Sequence, residues 1–245
     1  MNATCRIVLR APNAVFLTES AAGLTEGAGL LDRLTEAESQ AMQAEASPVS
    51  LPIGAQVFAQ GDPHEGIWLI RDGIIRTYYV APSGRELTLA LWTRGHFVGG
   101  PEVFGGGTHV WSAVAVEVSE LLFLPGEAIR RIVENSPRFA ACIIDGLVAK
   151  AKCYSAFAQM LGTRPAAARL AQLLLLAAQG QGRKDAGPLL IEHRPTHEDL
   201  ARAVGATRQW VTAMLERFEK GGIIRAVGRR LAIERPDLLR EVAES

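Results

Sequence analysis

Between Leu51 and Leu124 short apolar runs alternate with turn formers. Gln56-Val57-Phe58, Ile67 to Ile70, Ile74 to Val80, Glu86 to Trp92, Ser112 to Val118 and Glu120 to Leu124 are rich in β-branched and aromatic side chains. Such residues suit a pleated, half-buried surface. Turn signals lie between the runs: Gly61-Asp62-Pro63, Asp72-Gly73, Pro82-Ser83-Gly84, Gly95, Gly99-Gly100 and Gly105-Gly106-Gly107. Strands at a spacing of about ten residues predict a small antiparallel barrel or sandwich. No long helical segment separates them, so a parallel α/β sheet is disfavoured.

Either side of this block the period becomes helical. Residues 1–27 show no sustained period and read as a loose arm. Leu30, Leu31 and Leu34 precede a short helix that Thr35 and Glu38 open as a capping box, with Pro48 and Pro52 closing the segment. Gly126 to Asn135 predicts a short helix, stopped before Pro137. A long helix follows over 138–161, with Ala140, Ile144, Leu147, Ala151, Tyr154, Ala158 and Leu161 alternating at steps of four and three. That spacing is the seam of a coiled coil. A second apolar row, Phe139, Ile143, Gly146, Cys153, Phe157 and Met160, runs beside it. One face is expected on the barrel and the other on a partner helix, giving a homodimer. Gly162 and Pro165 mark a hinge, 166–179 a further helix, 180–188 a loop and Leu189 to Glu192 a short strand.

Residues 196–233 carry the most chemistry. Thr196 caps a helix with Asp199 as its capping-box acid, and Leu200, Ala201 and Val204 give that helix an inner face. Gly205 suits a left-handed turn. Thr207 caps a second helix, Arg208 to Lys220, with Val211, Met214, Leu215 and Phe218 inward. A small residue, a glycine and apolar residues at this spacing predict a helix-turn-helix. Arg208, Gln209, Thr212 and Arg217 then face outward; Arg suits guanine O6 and N7, and Gln suits adenine. Ile223 to Arg225 and Leu231 to Ile233, around Gly228-Arg229-Arg230, predict a β-wing whose Arg229 and Arg230 contact phosphate.

Charge sharpens this division. The chain of 245 residues carries 26 Lys+Arg and 26 Asp+Glu, a net charge of zero. Residues 1–163 hold 12 basic and 16 acidic side chains, and residues 164–245 hold 14 and 10. The zero is therefore a cancellation between an acidic part and a basic one, and it excludes a protein that coats DNA over its whole surface. Apolar runs such as Leu173 to Ala178 are too short to span a bilayer, and nothing near Arg6 and Arg10 reads as a secretory signal. Three cysteines, Cys5, Cys142 and Cys153, are too few for a disulfide scaffold. A cytoplasmic, non-enzymatic protein is expected, with no P-loop and no segment left for a catalytic domain.

The arrangement resembles the CRP/FNR family of bacterial transcription regulators. The likeness runs from about Leu30 to Arg235. It rests on Leu51-Pro52, Gly54, Val57, Gly61-Asp62, Leu69-Ile70, Gly73, Gly84-Arg85-Glu86 and Gly95-x-Phe97-x-Gly99, together with the long helix and the winged helix-turn-helix. It implies an α+β fold: a cyclic-nucleotide-binding-like β-roll (a double-stranded jelly roll), a dimerisation helix and a winged helix-turn-helix. The domain reading is an arm at 1–27, a sensor roll with flanking helices at 28–137, a dimerisation helix and hinge at 138–163 and a DNA-binding domain at 164–245. The dimer seam is Ile144, Leu147, Ala151, Tyr154, Ala158 and Leu161. The expected DNA contacts are Thr207, Arg208, Gln209, Thr212, Arg217, Arg229 and Arg230. The implied partners are double-stranded DNA as an inverted repeat, a second copy of the chain, RNA polymerase if the protein activates, and a small-molecule effector, with no membrane.

The chain departs from the family pattern at the effector site. Members that bind cyclic AMP place a glutamate after the Phe-x-Gly glycine, where this chain has Gly100. They place an arginine before the Ser/Thr-Ala pair, where Trp111 precedes Ser112-Ala113. No Lys or Arg lies between Arg94 and Arg130. A buried phosphate without a cation is costly, so tight binding of cyclic AMP is not expected. An iron–sulfur cluster needs four cysteine thiolates and is not expected either. Cys142 and Cys153, eleven residues apart on one helix, read as core residues. Haem stays open through His64, His96 and His109, although a histidine at a turn is more often solvated. The effector pocket is placed at Gly99, Gly100, Glu102, Trp111 and Ser112, and Trp111 either lines a ligand cavity or fills the vacated site. The recognition helix departs as well. Gln209 stands where the family often has Glu and Ala213 where it has a second Arg, so the operator is expected to differ from the usual half-site. The alternative function is a roll protein that serves protein contacts without specific DNA binding.

Overall fold

The computed structural model describes residue 29 and residues 33–100, 102–179, 189–192 and 194–245. The expected arm, Leu30, Leu31, Cys5 and the loop at 180–188 lie outside these residues. The described chain divides into two compact units, one up to Ser155 and one from Ala156 onward.

In the first unit Thr35 caps helix α1 (Glu36–Glu45) through the full capping box: its hydroxyl accepts from Glu38 N, and the Glu38 carboxylate accepts from Thr35 N. Eight strands follow: β1 (Ser47–Leu51), β2 (Gln56–Phe58), β3 (Gly66–Asp72), β4 (Ile75–Val80), β5 (Glu86–Trp92), β6 (Phe97–Val98), β7 (Ser112–Ala115) and β8 (Ser119–Pro125). They form two antiparallel four-stranded sheets, ordered β1-β8-β3-β6 and β2-β7-β4-β5. Three strands depart from the sequence expectation. Pro48 lies inside β1 instead of ending a segment, which is tolerated because β1 is an edge strand and its proline need not donate to a further neighbour. The two-residue β6, pairing with Trp68 and Leu69, is too short to show a period. The run that begins at Ser112 leaves the sheet after Ala115.

Helix α2 (Gly126–Asn135) and the start of helix α3 (Pro137–Thr163) close this unit. Ile67, Leu69, Phe97, Leu122, Leu124, Ile129, Phe139, Cys142 and Ile143 form one buried core, so one apolar row of α3 lies on the roll as expected. Cys142 and Cys153 are free and buried.

The second unit is built on helix α4 (Ala166–Gln179), whose Leu170, Leu173, Leu174 and Leu175 are buried. Strand β9 (Leu189–Ile191) pairs with β11 (Arg230–Ile233), which pairs with β10 (Ile224–Val227). Helices α5 (His197–Val204) and α6 (Arg208–Lys220) lie between β9 and β10 in sequence. A last helix, α7 (Pro236–Glu244), opened by a proline in its first turn, packs Leu239 and Ala243 into the same core. It lies beyond the segments read from the sequence.

Candidate effector cavity and nucleic-acid interface

The reading surface follows from local rules. Thr196 Oγ1 accepts from Asp199 N, and Thr207 Oγ1 accepts from Trp210 N, so each helix of the pair is capped by its own threonine. Gly205 sits at φ 69°, a left-handed position that costs a Cβ-bearing residue more than glycine. Buried Leu200, Ala201, Val204, Val211, Leu215 and Phe218 hold the pair on α4 and the wing sheet. Arg169 ties the first helix to the segment before α4. Its guanidinium donates to the carbonyls of Val204 at 2.9 Å, Arg164 at 2.9 Å and Leu161 at 3.3 Å. These are the open carbonyls of two helix ends, where a cation also meets the helix dipole.

Outward, Arg208, Gln209, Thr212, Ala213 and Glu216 line one groove along α6. Arg208 and Gln209 are exposed, whereas the Thr212 hydroxyl is engaged, donating to the Arg208 carbonyl at 3.0 Å and lying 2.7 Å from His197 Nδ1. His197 is held below its usual pKa by burial first, then by Arg194 and Arg208. Arg217 is exposed but lies outside the groove. Glu216 is a groove residue that sequence reasoning missed, and the i, i+4, i+8 step from Arg208 and Thr212 was its available signal. On the wing Arg229 is exposed, while Arg230 pairs with Glu192 at 2.7 Å.

The other site is a half-open cavity. A cavity of about 330 Å³ opens in the first unit. It is lined from β4 by Thr77, from β5 by Trp92, from the β6 end by Val98, Gly99 and Gly100, and from the approach to β7 by Trp111. Helix α3 supplies Leu147, Lys150, Ala151 and Tyr154. Trp111 therefore lines a cavity and does not fill it. Of the residues placed at this pocket from sequence, Gly99, Gly100 and Trp111 line it. Glu102 is exposed, and Ser112 turns its hydroxyl to accept from Gln60 N at 2.9 Å.

The structure differs from two expectations of the sequence here. The first held that the site has no cation. Lys150 comes from helix α3 instead, far outside the 94–130 interval, and its Nζ donates to the Phe97 carbonyl at 2.5 Å. The second read the histidines as solvated. His64, His96 and His109 are all buried, because the turns that carry them fold back onto the roll. His109 stacks on Phe58 at 3.9 Å between ring centroids and lies 4.4 Å from His64. Burial is the first cause that lowers all three, with His96 and His109 each reaching about 4. Among the described residues no group of three or more His, Cys, Asp or Glu is placed to hold a metal ion.

His64 also explains what occupies the missing glutamate's place. A Cβ on Gly100 would lie 2.6 Å from His64 Cδ2 and 2.7 Å from His64 Nε2. A side chain at residue 100 cannot enter without displacing a buried ring.

Helix α3 turns Tyr154 to the roll, with Trp111 at 5.6 Å and Trp92 at 6.2 Å between centroids. Of the expected seam, Ile144 is 59% exposed, Ala151 and Ala158 are exposed, and Leu147 and Leu161 are half-buried. Val148, 45% exposed and one turn from Ile144, was missed because it falls outside the four-three step.

Comparison with known proteins places each unit in a known domain family. Residues 48–136 match the cyclic nucleotide-binding domain and residues 168–242 match the Crp-like helix-turn-helix domain. The cyclic AMP receptor protein of Thermus thermophilus is 30% identical over 193 residues, 78% of this chain and 86% of that one. The chain belongs to the CRP/FNR family of transcription regulators. A CRP-like cAMP-activated global transcriptional regulator of Mycobacterium tuberculosis is 27% identical over 84% of this chain and 92% of its own. A solved c-di-GMP-responsive global regulator from Xanthomonas campestris superposes with a TM-score of 0.72 over 82% of this chain and 99% of its own, at 18% identity, a likeness of fold alone. As a CRP/FNR-type regulator the chain is a DNA-binding protein, and its helix-turn-helix is the sequence-reading element. No helix of the described residues is long and apolar enough to cross a membrane.

Proposed function

We propose that the chain is a homodimeric transcription regulator whose roll senses a small molecule and whose α6 helices read an inverted-repeat operator. The exposed Arg208 and Gln209 at the N-terminal turn of α6 are the observation that carries the reading. That turn is the part of a recognition helix that reaches base edges. Arg208 is the guanine contact, Gln209 and Thr207 flank it, and Thr212 positions it through the carbonyl its hydroxyl engages. Arg217, Arg229 and Arg230 meet phosphate. Two copies pair along α3 through Ile144, Val148, Ala151 and Ala158, supported by the exposed apolar stripe. Half-site centres then lie about 34 Å apart, one DNA turn. Sensing belongs to the first unit, reading to the second, and the protein works in the cytoplasm without catalysis of its own. When it activates, RNA polymerase is a further partner. Cyclic AMP is not the effector, because Gly100 has no side chain of its own to reach a ribose and the His64 ring, with the Glu102 carboxylate beside it, occupies the space its Cβ would take.

Selection from random duplexes with the full chain tests this. Enrichment of a palindrome with that spacing is expected, together with a dimer in sedimentation that Ile144→Asp with Val148→Asp splits to monomer. Recovery of unrelated sequences, or of an isolated half-site by a monomer, overturns it.

A further inference from the structure

The cavity walls are apolar and aromatic, yet one ammonium is set among them. Leu147, Lys150, Ala151 and Tyr154 follow the i, i+3, i+4, i+7 step, so one face of α3 forms a wall of the cavity. Lys150 is 9% exposed. Its Nζ lies 3.7 Å from the Trp92 ring centroid and 4.6 Å from that of Phe97, and one of its three N–H groups goes to the Phe97 carbonyl. Among the described residues no carboxylate pairs with it. The polar groups of two neighbours are already committed to one another: Trp92 Nε1–H donates to Thr77 Oγ1 at 3.1 Å. A buried ammonium with ring faces and a single carbonyl is incompletely compensated, and a carboxylate is the partner that completes it. Burial lowers Lys150 to about 7, which an arriving anion would reverse.

Building on the sensor reading, we propose that this cavity takes a small aromatic monocarboxylate, its ring among Trp92, Trp111 and Tyr154 and its carboxylate on Lys150 Nζ. One ammonium matches one negative charge. A dianion would bury an unpaired charge, and a neutral ligand would leave Lys150 as it is. The volume, at the small end of ligand sites, suits a one- or two-ring acid. Edge and face contacts with three rings favour an aromatic body over an aliphatic one. Because Lys150 and Ala151 lie on the same helix as Ile144 and Val148, a ligand that engages Lys150 bears on the helix that forms the dimer.

Calorimetry on the full-length dimer, with tryptophan fluorescence as a second readout, decides it. The probes are benzoate, phenylacetate and indole-3-acetate, their neutral amides, cyclohexanecarboxylate and cyclic AMP. At least one aromatic acid binds ten-fold or more tighter than its amide and than cyclohexanecarboxylate. Lys150→Met brings the acid down to the amide's level, and Trp111→Ala weakens it at least ten-fold. The acid–amide comparison on the unaltered protein stands whether or not the variants fold. Equal binding of acid and amide, equal binding of cyclohexanecarboxylate, no effect of Lys150→Met in a folded variant, or no binding of any aromatic acid overturns the proposal. Micromolar binding of cyclic AMP alone overturns it and leaves a sensor with another effector. A ligand that binds while operator affinity stays unchanged in gel shifts overturns the sensor reading instead.

Discussion

The two units hold their sites in opposite ways. The winged helix presents the exposed face of α6, and the ends and turn of its helix pair are set locally, by two threonine caps and one left-handed glycine. The roll and helix α3 together shape a half-open cavity, and residues from Thr77 to Tyr154 must meet before it exists. A surface built locally tolerates substitution outside its contacts. A cavity built from distant segments ties its chemistry to the stability of the whole unit. Substitutions in the reader are therefore expected to change DNA binding at constant stability, and those in the sensor to change both.

Arg208→Ala is the strongest test on the reader side. Loss of a bidentate guanine contact costs about 1–3 kcal/mol of discrimination at that base, and a symmetric dimer loses it in both half-sites. Footprints should lose selectivity while the urea midpoint stays within error. Unchanged selectivity would move the base contact away from Arg208, with Glu216 the next groove residue to alter.

Gly100→Glu is its counterpart in the sensor. It restores the residue that cyclic-AMP-binding members carry, but its Cβ would press on the buried His64 ring. Overpacking of this kind costs about 1–3 kcal/mol. The midpoint should fall, and calorimetry should show no gain in cyclic AMP affinity. A stable variant that binds cyclic AMP would mean that His64 yields freely.

Why the reader was legible and the sensor only half so follows from the same contrast. Thr196, Gly205 and Thr207 announce themselves because capping and left-handed turns act between residues three or four apart. The paired strands were legible from their β-branched and aromatic runs between turn formers, and the edge strand carrying Pro48, the two-residue β6 and the end of β7 escaped that reading. Lys150 has no local mark. On its helix it reads as one solvated lysine beside Lys152, and only tertiary packing places it against Trp92 and Phe97. The buried histidines escaped for the same reason, since a turn that folds back on the roll looks in sequence like any exposed turn.

Acid should separate the units further. His96 and His109 titrate near 6.5 when unfolded and about 4 when folded, His96 through burial and then the Lys150 charge, His109 through burial and then His64. The unfolded chain therefore takes up protons first. Their effect on stability is absent above pH 6.5 and grows as pH falls toward 4. Other groups face His96 and Lys150. Cys153 is raised by burial to about 12 and Tyr154 is raised by burial too, so both stay protonated throughout this window. Lys150, lowered by burial to about 7, completes its charging within about a unit below that, so its own slope fades at the upper end of this window. The winged helix carries His197, lowered by a smaller burial. The urea midpoint of the roll, followed through Trp68, Trp92 and Trp111 in a Trp210→Phe background, should fall across pH 6.5 to 4 more steeply than that of the winged helix. Parallel slopes would mean that these histidines stay solvated enough to titrate normally.

The smallest effect is expected at the wing, and it sharpens the claim that the reader's contacts are separable. Arg229 is exposed without an ion pair among the described residues, whereas Arg230 already meets Glu192 at 2.7 Å. An arginine that neutralises a phosphate changes the slope of log K against log salt by about 0.9. Arg229→Ala should reduce that slope by close to this amount in each half-site and weaken all sequences alike. Arg230→Ala should do less, because binding DNA must first take its guanidinium from a carboxylate, an exchange whose net gain is small for exposed pairs. Glu192→Gln should then raise the contribution of Arg230 toward that of Arg229. Equal slopes for both arginines in the unaltered background would show that the Glu192 pair opens at no cost when DNA arrives.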